Sequence, residues 1–291
     1  MKNNKQILVT GGAGFVGTNL IKLFLKKTSY KVVSIDNYTS GTKLNHIRSS
    51  RVKYIKGNTA NISKLVKNPD KIKTIFHFGE FARIYQSFLK MDQCIESNSI
   101  GTNAIFNFCL KHKVKLIYSA TSASLGNKGN DRNLSPYAFT KAKNLELLEN
   151  LKKWFNFKYE VIYFYNVYGP HQICRGQMST VIGIFEDHYK RKEPLPVVLP
   201  GTQTRRFTHI SDTVEICYLA WKKNLCRHYS IASKKSYSVL EVAKIFKSKI
   251  KFLPRRKGER YASALTKMNL SNKIYKHFGK IKLKDYIHDL I

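Results

Sequence analysis

The chain has 291 residues, of which 43% are hydrophobic. This is enough apolar material to bury one substantial core with a smaller appended lobe, and it excludes disorder over most of the length. The five cysteines are odd in number and widely scattered. They predict neither a disulfide framework nor a metal site, and the expected compartment is a reducing cytoplasm. No signal sequence and no stretch of membrane-spanning length is apparent, so we expect no membrane association.

Basic residues dominate the charge, with 52 Lys and Arg against 18 Asp and Glu and a formal net charge of +34. Such an excess raises nucleic-acid binding as a candidate function. The basic residues are nevertheless spread over the whole chain, without a tail, a stripe or a recognisable nucleic-acid module. We therefore expect no specific nucleic-acid partner, and we expect the positive field to help gather an anionic ligand.

The first half alternates short β-branched runs with amphipathic stretches of helical length, a pattern typical of βαβ units. Strands are predicted near Gln6–Thr10, Lys31–Asp36, Val52–Lys56, Thr74–Phe78, Lys115–Ala120 and Glu160–Tyr165. Helices are predicted to begin near Gly14, Ile62, Asp92 and Tyr137, and later ones to lie near Ser179–Arg191, Asp212–Lys223 and Ser238–Lys247. The predicted fold is α/β, with a doubly wound Rossmann-type parallel sheet over residues 1–168. A smaller lobe is expected mainly over 169–291, with some chain returning to the core.

A glycine-rich segment, GGAGFVG from Gly11 to Gly17, directly follows the first predicted strand. Glycines there allow a tight turn and close approach of a pyrophosphate, and the next helix offers free N–H groups to an anion. A tight turn without a ligand is the alternative, since a lone glycine pattern occurs by chance. Asp36 at the end of the second strand favours a dinucleotide, because an acidic residue there accepts from the adenosine ribose hydroxyls. The same carboxylate repels a 2′-phosphate, so NAD is favoured over NADP. Asp36 as a simple turn cap remains the other interpretation.

Tyr137 and Lys141 lie one helical turn apart on one face. A nearby cation stabilises a phenolate, so the pair suits acid/base chemistry. The spacing is not specific by itself, because Tyr218 and Lys222 share it. What distinguishes Tyr137 is that it follows Thr121, in the hydroxyl-rich segment that ends the fifth strand, and ligands bind at such strand ends.

A series of motifs occurs in the order seen in extended short-chain dehydrogenases/reductases. It comprises the glycine loop, Asp36-Asn37, His77-Phe78-Gly79, Asn98 in Asn-x-x-Gly-Thr, Thr121, Tyr137 with Lys141, Asn166-Val167-Tyr168-Gly169-Pro170 and Arg205-Arg206-Phe207. The chain resembles the NAD-dependent epimerase/dehydratase branch of that superfamily, and among its members the nucleotide-sugar 4-epimerases. The resemblance implies that the C-terminal lobe binds substrate. It also implies a homodimer formed by helices near Asp92–His112 and Tyr137–Phe155.

The resemblance implies three sets of site residues. The catalytic residues are Thr121, Tyr137 and Lys141. The NAD-binding residues are Gly11, Gly14, Phe15, Val16, Gly17, Asp36, Asn37, Ser40, Asn58, Thr59, Phe78, Gly79, Asn98, Tyr137 and Lys141. The substrate-binding residues are Thr121, Ser122, Tyr137, Asn166, Arg205, Arg256 and Ser263, and no metal is implied.

The reaction is narrowed by the two residues after Thr121. Related 4,6-dehydratases carry an Asp-Glu pair there, and related decarboxylases keep the Glu, whereas this chain has Ser122 and Ala123. The resemblance therefore implies reversible oxidation at C4 of a UDP-hexose or UDP-N-acetylhexosamine, through a transient 4-keto sugar. The alternatives are a nucleotide-ketosugar reductase, another dehydratase-type member, or a non-catalytic NAD- or RNA-binding regulator on the same fold.

Several positions depart from the family pattern. Arg206 stands where an acidic residue is usual, and Asn58 stands where an Asp commonly meets the adenine. The charged residues Glu80 and Arg83 either line the sugar pocket or pair with each other or with solvent, and both readings stay open. His77 is expected to be a packed histidine at a strand end, with no role as a base.

One position is expected to control the size of the sugar. In the 4-epimerases, the residue seven places after the matching Arg forms the wall beside the 2-substituent, and here that count leads from Arg256 to Ser263. A serine leaves room for an acetamido group, unless the loop shifts and Tyr261 occupies the space. Ser263→Tyr should suppress turnover of the N-acetylhexosamine nucleotide and spare the hexose one. Equal slowing of both, measured as kcat/KM, or a wild type confined to hexoses, rules out this gate.

Overall fold

The computed structural model describes residues 5–125, 133–257 and 274–291. Its strands are β1 (Gln6–Thr10), β2 (Lys31–Asp36), β3 (Val52–Lys56), β4 (Ile72–His77), β5 (Lys115–Thr121), β6 (Tyr159–Phe164), β7 (Asn166–Tyr168), β8 (Leu195–Val198), β9 (Thr204–Arg205), β10 (Phe207–His209), β11 (His228–Ala232), β12 (Tyr237–Ser238), β13 (Ile250–Leu253) and β14 (Ile274–Phe278). Its α-helices are α1 (Phe15–Lys27), α2 (Ile62–Leu65), α3 (Ile84–Leu89), α4 (Met91–Ile95), α5 (Thr102–Lys111), α6 (Pro136–Phe155), α7 (Val181–Lys190), α8 (Ile210–Lys223), α9 (Val239–Ile245) and α10 (Leu283–His288).

Eight parallel strands form the main sheet in the order β14-β11-β6-β5-β4-β1-β2-β3. β1 pairs with β2 on one side and with β4 on the other, so the order of the strands reverses beside β1. Ligands bind at the carboxyl edge of the sheet at such a switch point. The predicted α/β class and the predicted strands are confirmed, because the β-branched runs are buried on both faces of the sheet.

Apolar clusters cover both faces of the sheet. In β1, the side chains of Ile7 and Val9 join Phe24 of α1 in one cluster, and Leu8 joins Phe106 of α5 in the other. This alternation follows from the two-residue period of a strand. None of the helices in the described part of the chain is long and apolar enough to cross a membrane.

The second half of the chain contributes both to the sheet and to a smaller lobe. Strands β11 and β14 extend the sheet beyond β6. The lobe has its own apolar cluster, in which Phe185 of α7 packs edge-on against Phe246 after α9. Residues of the lobe and of the carboxyl edge of the sheet line a common cavity.

The turn between β1 and α1 depends on close backbone packing. Gly11 has a φ of +68°, and its N–H donates to the carbonyl of Ile35 over 2.8 Å. A Cβ on Gly17 would lie 2.2 Å from the carbonyl oxygen of Gly11 and 2.6 Å from the Cα of Gly12. Both obstacles are backbone atoms, so there is no room for a larger residue at Gly17.

We therefore expect Gly17→Ala to lower the free energy of unfolding by about 1–3 kcal/mol, as overpacking does in a close-packed interior. Gly14→Ala is the matched control, because its Cβ would meet the Gly11 carbonyl at 3.2 Å and needs only a small adjustment. Chemical denaturation measures both changes. Equal stability of the two variants contradicts the close approach.

Candidate active site

A cavity of about 1030 Å³ lies between the carboxyl edge of the sheet and the smaller lobe. Most of the residues expected at the site line it. They are Gly11, Gly14, Phe15, Val16, Gly17, Asp36, Asn37, Ser40, Asn58, Thr59, Phe78, Gly79, Thr121, Ser122, Tyr137, Lys141, Asn166, Arg205 and Arg256. Residues far apart in the sequence meet here because parallel strands end at one edge.

The glycine loop is shaped to receive a phosphate. The first turn of α1 holds no acidic residue, and Gly14 provides no side-chain cap for its N–H groups. A Cβ on Gly11 would lie 2.9 Å from the backbone nitrogen of Gly79, so the turn and the end of β4 are in close contact. Exposed donors and the dipole at a helix N-terminus favour an anion. The loop thus fits the pyrophosphate of a dinucleotide.

Asp36 ends β2 beside this loop, and its carboxylate is buried and oriented. Oδ2 accepts from the N–H of Ala13 over 2.9 Å, and Oδ1 accepts from the N–H of Tyr38 over 2.8 Å. Burial raises the pKa of Asp36, while these two N–H groups act in the opposite direction. The carboxylate is therefore held in place at the cavity wall, where an adenosine ribose is expected. The turn contacts of Asp36 are thus observed, and its contact with a ribose stays a prediction.

Tyr137 and Thr121 lie together in the cavity. Helix α6 begins at Pro136, and Ser135 caps it by accepting from the N–H of Ala138 over 3.1 Å. Tyr137 therefore lies in the first turn of α6, next to the end of β5. Burial raises the pKa of Tyr137 to about 12, although a hydrogen bond with Thr121 and the charge of Arg83 both lower it. In this state the phenol is a neutral proton donor.

Lys141, one turn further along α6, is buried in a polar network. Its ammonium forms an ion pair with Glu80, donates to the carbonyl oxygen of Ser119 and lies 4.6 Å from the centre of the Tyr118 ring. Burial lowers the pKa of Lys141, and the Glu80 carboxylate raises it. Glu80 and Arg83 both line the cavity, and they are not paired with each other. Glu80 pairs with Lys141 instead.

His77 is a packed histidine, as the sequence predicts. Its Nδ1 lies 2.7 Å from the hydroxyl of Thr10 and its Nε2 lies 2.9 Å from the hydroxyl of Thr102. Burial lowers its pKa to about 4, so the ring is neutral. The histidine ties β1, β4 and α5 together below the cavity.

The arginines expected to hold a pyrophosphate line the lobe side of the cavity. Arg205 is buried on β9, and the guanidinium of Arg256 lies 5.2 Å from the centre of the Tyr85 ring. Asn166 on β7 donates to the carbonyl of Arg206 over 3.4 Å. Arg206 itself donates to the carbonyls of Ser233 and Lys234. The guanidinium of Arg206 therefore binds the backbone of the loop that follows β11.

Asn98 is fully buried, and its expected contact with the cofactor stays a prediction. Its Oδ1 accepts from the N–H of Phe81 over 2.7 Å, and its Nδ2 donates to the carbonyl of the same residue over 3.0 Å. Asn98 therefore holds the backbone of the segment after β4 in place. Ser263 lies outside the described residues.

Of three further polar residues at the cavity, the sequence left the role of Arg83 open and gave no indication of Gln86 or Gln203. Arg83 donates from Nε to the carbonyl of Met178 over 2.9 Å, which ties the segment after β4 to the lobe. Among the described residues, the side-chain carbonyl oxygens of Gln86 and Gln203 are buried without a hydrogen-bond partner, and both residues line the cavity. A buried acceptor of this kind suits a hydroxyl or N–H of a ligand. Only Arg83 carried a signal in the sequence, as a charge in an otherwise apolar stretch.

Comparison with known proteins agrees with this geometry. The family model for NAD dependent epimerase/dehydratase proteins matches residues 7–232. An ADP-L-glycero-D-manno-heptose-6-epimerase of Brachyspira hyodysenteriae is 27% identical over 259 residues, covering 83% of this chain and 80% of that protein. An uncharacterized UDP-glucose epimerase of Bacillus subtilis is 29% identical over 229 residues, covering 72% and 70%.

A similar solved structure is the UDP-glucuronic acid 4-epimerase of Bacillus cereus in complex with UDP-glucuronic acid and NAD. It matches with a TM-score of 0.82 and 25% identity, over 98% of this chain and 100% of that one. The Rossmann-type architecture and the expected cofactor are thereby confirmed. The chain belongs to the NAD-dependent epimerase/dehydratase family, as the order of its motifs predicts.

Proposed function

We propose that the protein epimerises a nucleotide-sugar at C4, with a UDP-hexose or UDP-N-acetylhexosamine as substrate and a transient 4-keto sugar as intermediate. The observation that carries the proposal is the pairing of Thr121 with Tyr137 in the cavity, next to Ser122 and Ala123. These residues suffice to move one proton reversibly. The two positions after Thr121 offer no carboxylate for removing water or carbon dioxide.

Tyr137 is the proposed acid/base. Its Oη would take the proton from the sugar 4-hydroxyl and return it to the 4-keto oxygen, while Thr121 holds the same oxygen by a hydrogen bond. Bound NAD supplies a hydride acceptor and a positive charge. A phenol with a pKa near 12 needs such an opposite charge to ionise near neutral pH.

The arginines explain how a sugar can turn over while its nucleotide stays in place. Arg205 and Arg256 would hold the diphosphate, because a forked guanidinium matches phosphate oxygens. Asn166, Gln86 and Gln203 offer polar contacts at the cavity wall. A firmly held diphosphate with a loosely held hexose permits the keto sugar to present its other face.

The choice of C4 is supported by the Bacillus cereus structure, which is a UDP-glucuronic acid 4-epimerase with NAD. The Brachyspira hyodysenteriae relative is named a 6-epimerase and supports an epimerase without supporting that carbon. The intact Thr121, Tyr137 and Lys141 set disfavours a non-catalytic regulator. Activity without added cofactor separates an epimerase from a ketosugar reductase, which consumes NADH.

A homodimer is part of the proposal. Large apolar side chains are exposed on α6 and on the segment before α5, including Ile100 at 58%, Phe139 at 42% and Trp154 at 63%. Exposed apolar side chains of this size on neighbouring helical segments are typical of a surface that is covered by a partner. A second copy of the chain is the proposed partner at this surface.

Tyr137→Phe tests the proposed chemistry. We expect kcat to fall by about 10²-fold or more while NAD remains bound, because only the proton-transfer group is lost. Turnover is measured with UDP-hexoses and UDP-N-acetylhexosamines by resolving the C4 epimers. Tyr218→Phe is the matched control, since Tyr218 has the same spacing to a lysine but packs against Phe24 outside the cavity. Near-normal turnover of Tyr137→Phe refutes the assignment.

Asp36→Ser tests the cofactor preference. Loss of a charged acceptor at the ribose should weaken NAD binding by about tenfold and narrow the preference over NADP. Calorimetric titration with both dinucleotides measures the ratio. The matched control is Asp212→Ser, because Asp212 also accepts from two backbone N–H groups, those of Lys280 and Ile281. An unchanged ratio of affinities in Asp36→Ser contradicts the role of this carboxylate.

A further inference from the structure

Glu80 is a buried acidic residue beside the proposed catalytic lysine. It lies three residues after the end of β4, and its backbone N–H donates to the carbonyl of Phe78 over 2.9 Å. Its side chain is 2% exposed and that of Lys141 is 4% exposed. An ion pair so far from solvent is weakly screened and strongly oriented.

The second oxygen of the carboxylate is held by neutral donors from three elements. Oε1 accepts from the hydroxyl of Thr102 on α5 over 3.0 Å, from the hydroxyl of Tyr118 on β5 over 3.1 Å, and from Nδ2 of Asn144 on α6 over 3.4 Å. Together with Lys141, every one of these contacts is a donor, which suits an ionised carboxylate. The position of the carboxylate is therefore set by the fold itself.

This arrangement also fixes the ammonium of Lys141. The Glu80 carboxylate takes one of its donors, the carbonyl of Ser119 takes a second, and the hydroxyl of Ser119 lies 3.5 Å away. The face of the Tyr118 ring covers the ammonium on one side. The charge of Lys141 is thus largely balanced inside the protein before any ligand is bound.

We propose that Glu80 is a positioning residue that holds Lys141 against the end of β5 and balances its charge, and that its carboxylate also acts on the phenol of Tyr137 in the same cavity. The inference rests on Tyr137 as the acid/base of the proposed function. It assigns a role to an acidic residue that lines the cavity together with that phenol.

The charged neighbours of Tyr137 act in opposite directions. The Glu80 carboxylate raises the pKa of Tyr137, and the Arg83 guanidinium lowers it. Burial lowers the pKa of Lys141, and the same carboxylate raises it. The remaining titratable neighbours are neutral near pH 7, since burial lowers the pKa of His77 to about 4, raises that of Cys94 to about 11, and raises that of Tyr118 well above its usual value.

The sign of the expected change follows from these charges. Removal of a negative charge stabilises the phenolate and destabilises the lysine ammonium. Glu80→Gln should therefore lower the pKa of both Tyr137 and Lys141. The pH dependence of proton transfer should move to lower pH as a whole, by about one pH unit or more, as expected for loss of a neighbouring charge. Loss of structure alone lowers activity at every pH and leaves the midpoints in place.

The experiment measures the titration of Tyr137 directly in the NAD-loaded protein. The absorbance of the phenolate is followed against pH, and the curve of a Tyr137→Phe protein is subtracted, both in wild type and in Glu80→Gln. The pH profile of kcat is recorded on the same samples with UDP-sugars. We expect both midpoints to shift to lower pH in Glu80→Gln, and an unchanged Tyr137 midpoint overturns the proposal.

Two further variants keep the test decisive. Glu160→Gln is the matched control, because Glu160 is also a buried partner of a lysine, Lys115 at 2.8 Å, but it lies on β6 outside the cavity. It should leave the Tyr137 midpoint at the wild-type value, and a shift as large as that of Glu80→Gln overturns the proposal. Glu80→Asp keeps the charge and so protects the fold if Glu80→Gln does not fold. Because the negative charge is retained, the Tyr137 midpoint should stay near the wild-type value, and a downward shift of about one pH unit or more overturns the proposal.

The two readouts separate this inference from the proposed function. If no UDP-sugar is turned over, the phenolate titration still reports whether Glu80 acts on Tyr137. If UDP-sugars are epimerised and the titration is unmoved by Glu80→Gln, the proposed function stands and the role of Glu80 does not.

Discussion

Parallel pairing of β1 with both β2 and β4 is the constraint on which the site depends. It brings Thr10, Asp36 and His77 to one edge of the sheet, although they are far apart in the sequence. The turn after Thr10 must then pass close to the end of β4, which Gly11 permits, and Gly17 permits the close packing of α1 against that turn. The open N-terminus of α1 and the cavity above it follow from this geometry.

Burial also matters at this edge of the sheet, because hydrogen bonds and ion pairs between buried groups are stronger than those exposed to water. Tyr137, Lys141 and Glu80 lie in an interior where a charge without a partner is costly. Each is accordingly bonded to groups on other elements, and the network reaches from α5 across β5 to α6. The proton affinity of the phenol is therefore a property of the assembled layers, and no single pair of residues determines it.

The large positive charge of the chain has a different relation to the site. Most of the basic residues lie on exposed surfaces, whereas Arg205 and Lys141 are buried at the cavity. A dispersed surface field raises the local concentration of any anion without selecting one. Selection is expected from Arg205 and from the buried amides of Gln86 and Gln203 at the cavity.

The sequence by itself determined the parallel sheet, the glycine turn, Asp36, and the Tyr137 and Lys141 pair, because these depend on local periodicity, on short-range spacing and on the order of motifs. It also marked Glu80 and Arg83 as unusual without deciding between the cavity and solvent. Only the tertiary structure decided that Glu80 holds Lys141, that Arg83 reaches Met178, and that the amide of Asn98 is occupied by the backbone of Phe81. The physical reason is that partners of buried polar groups come from other layers of the fold, at separations in sequence that no local pattern records.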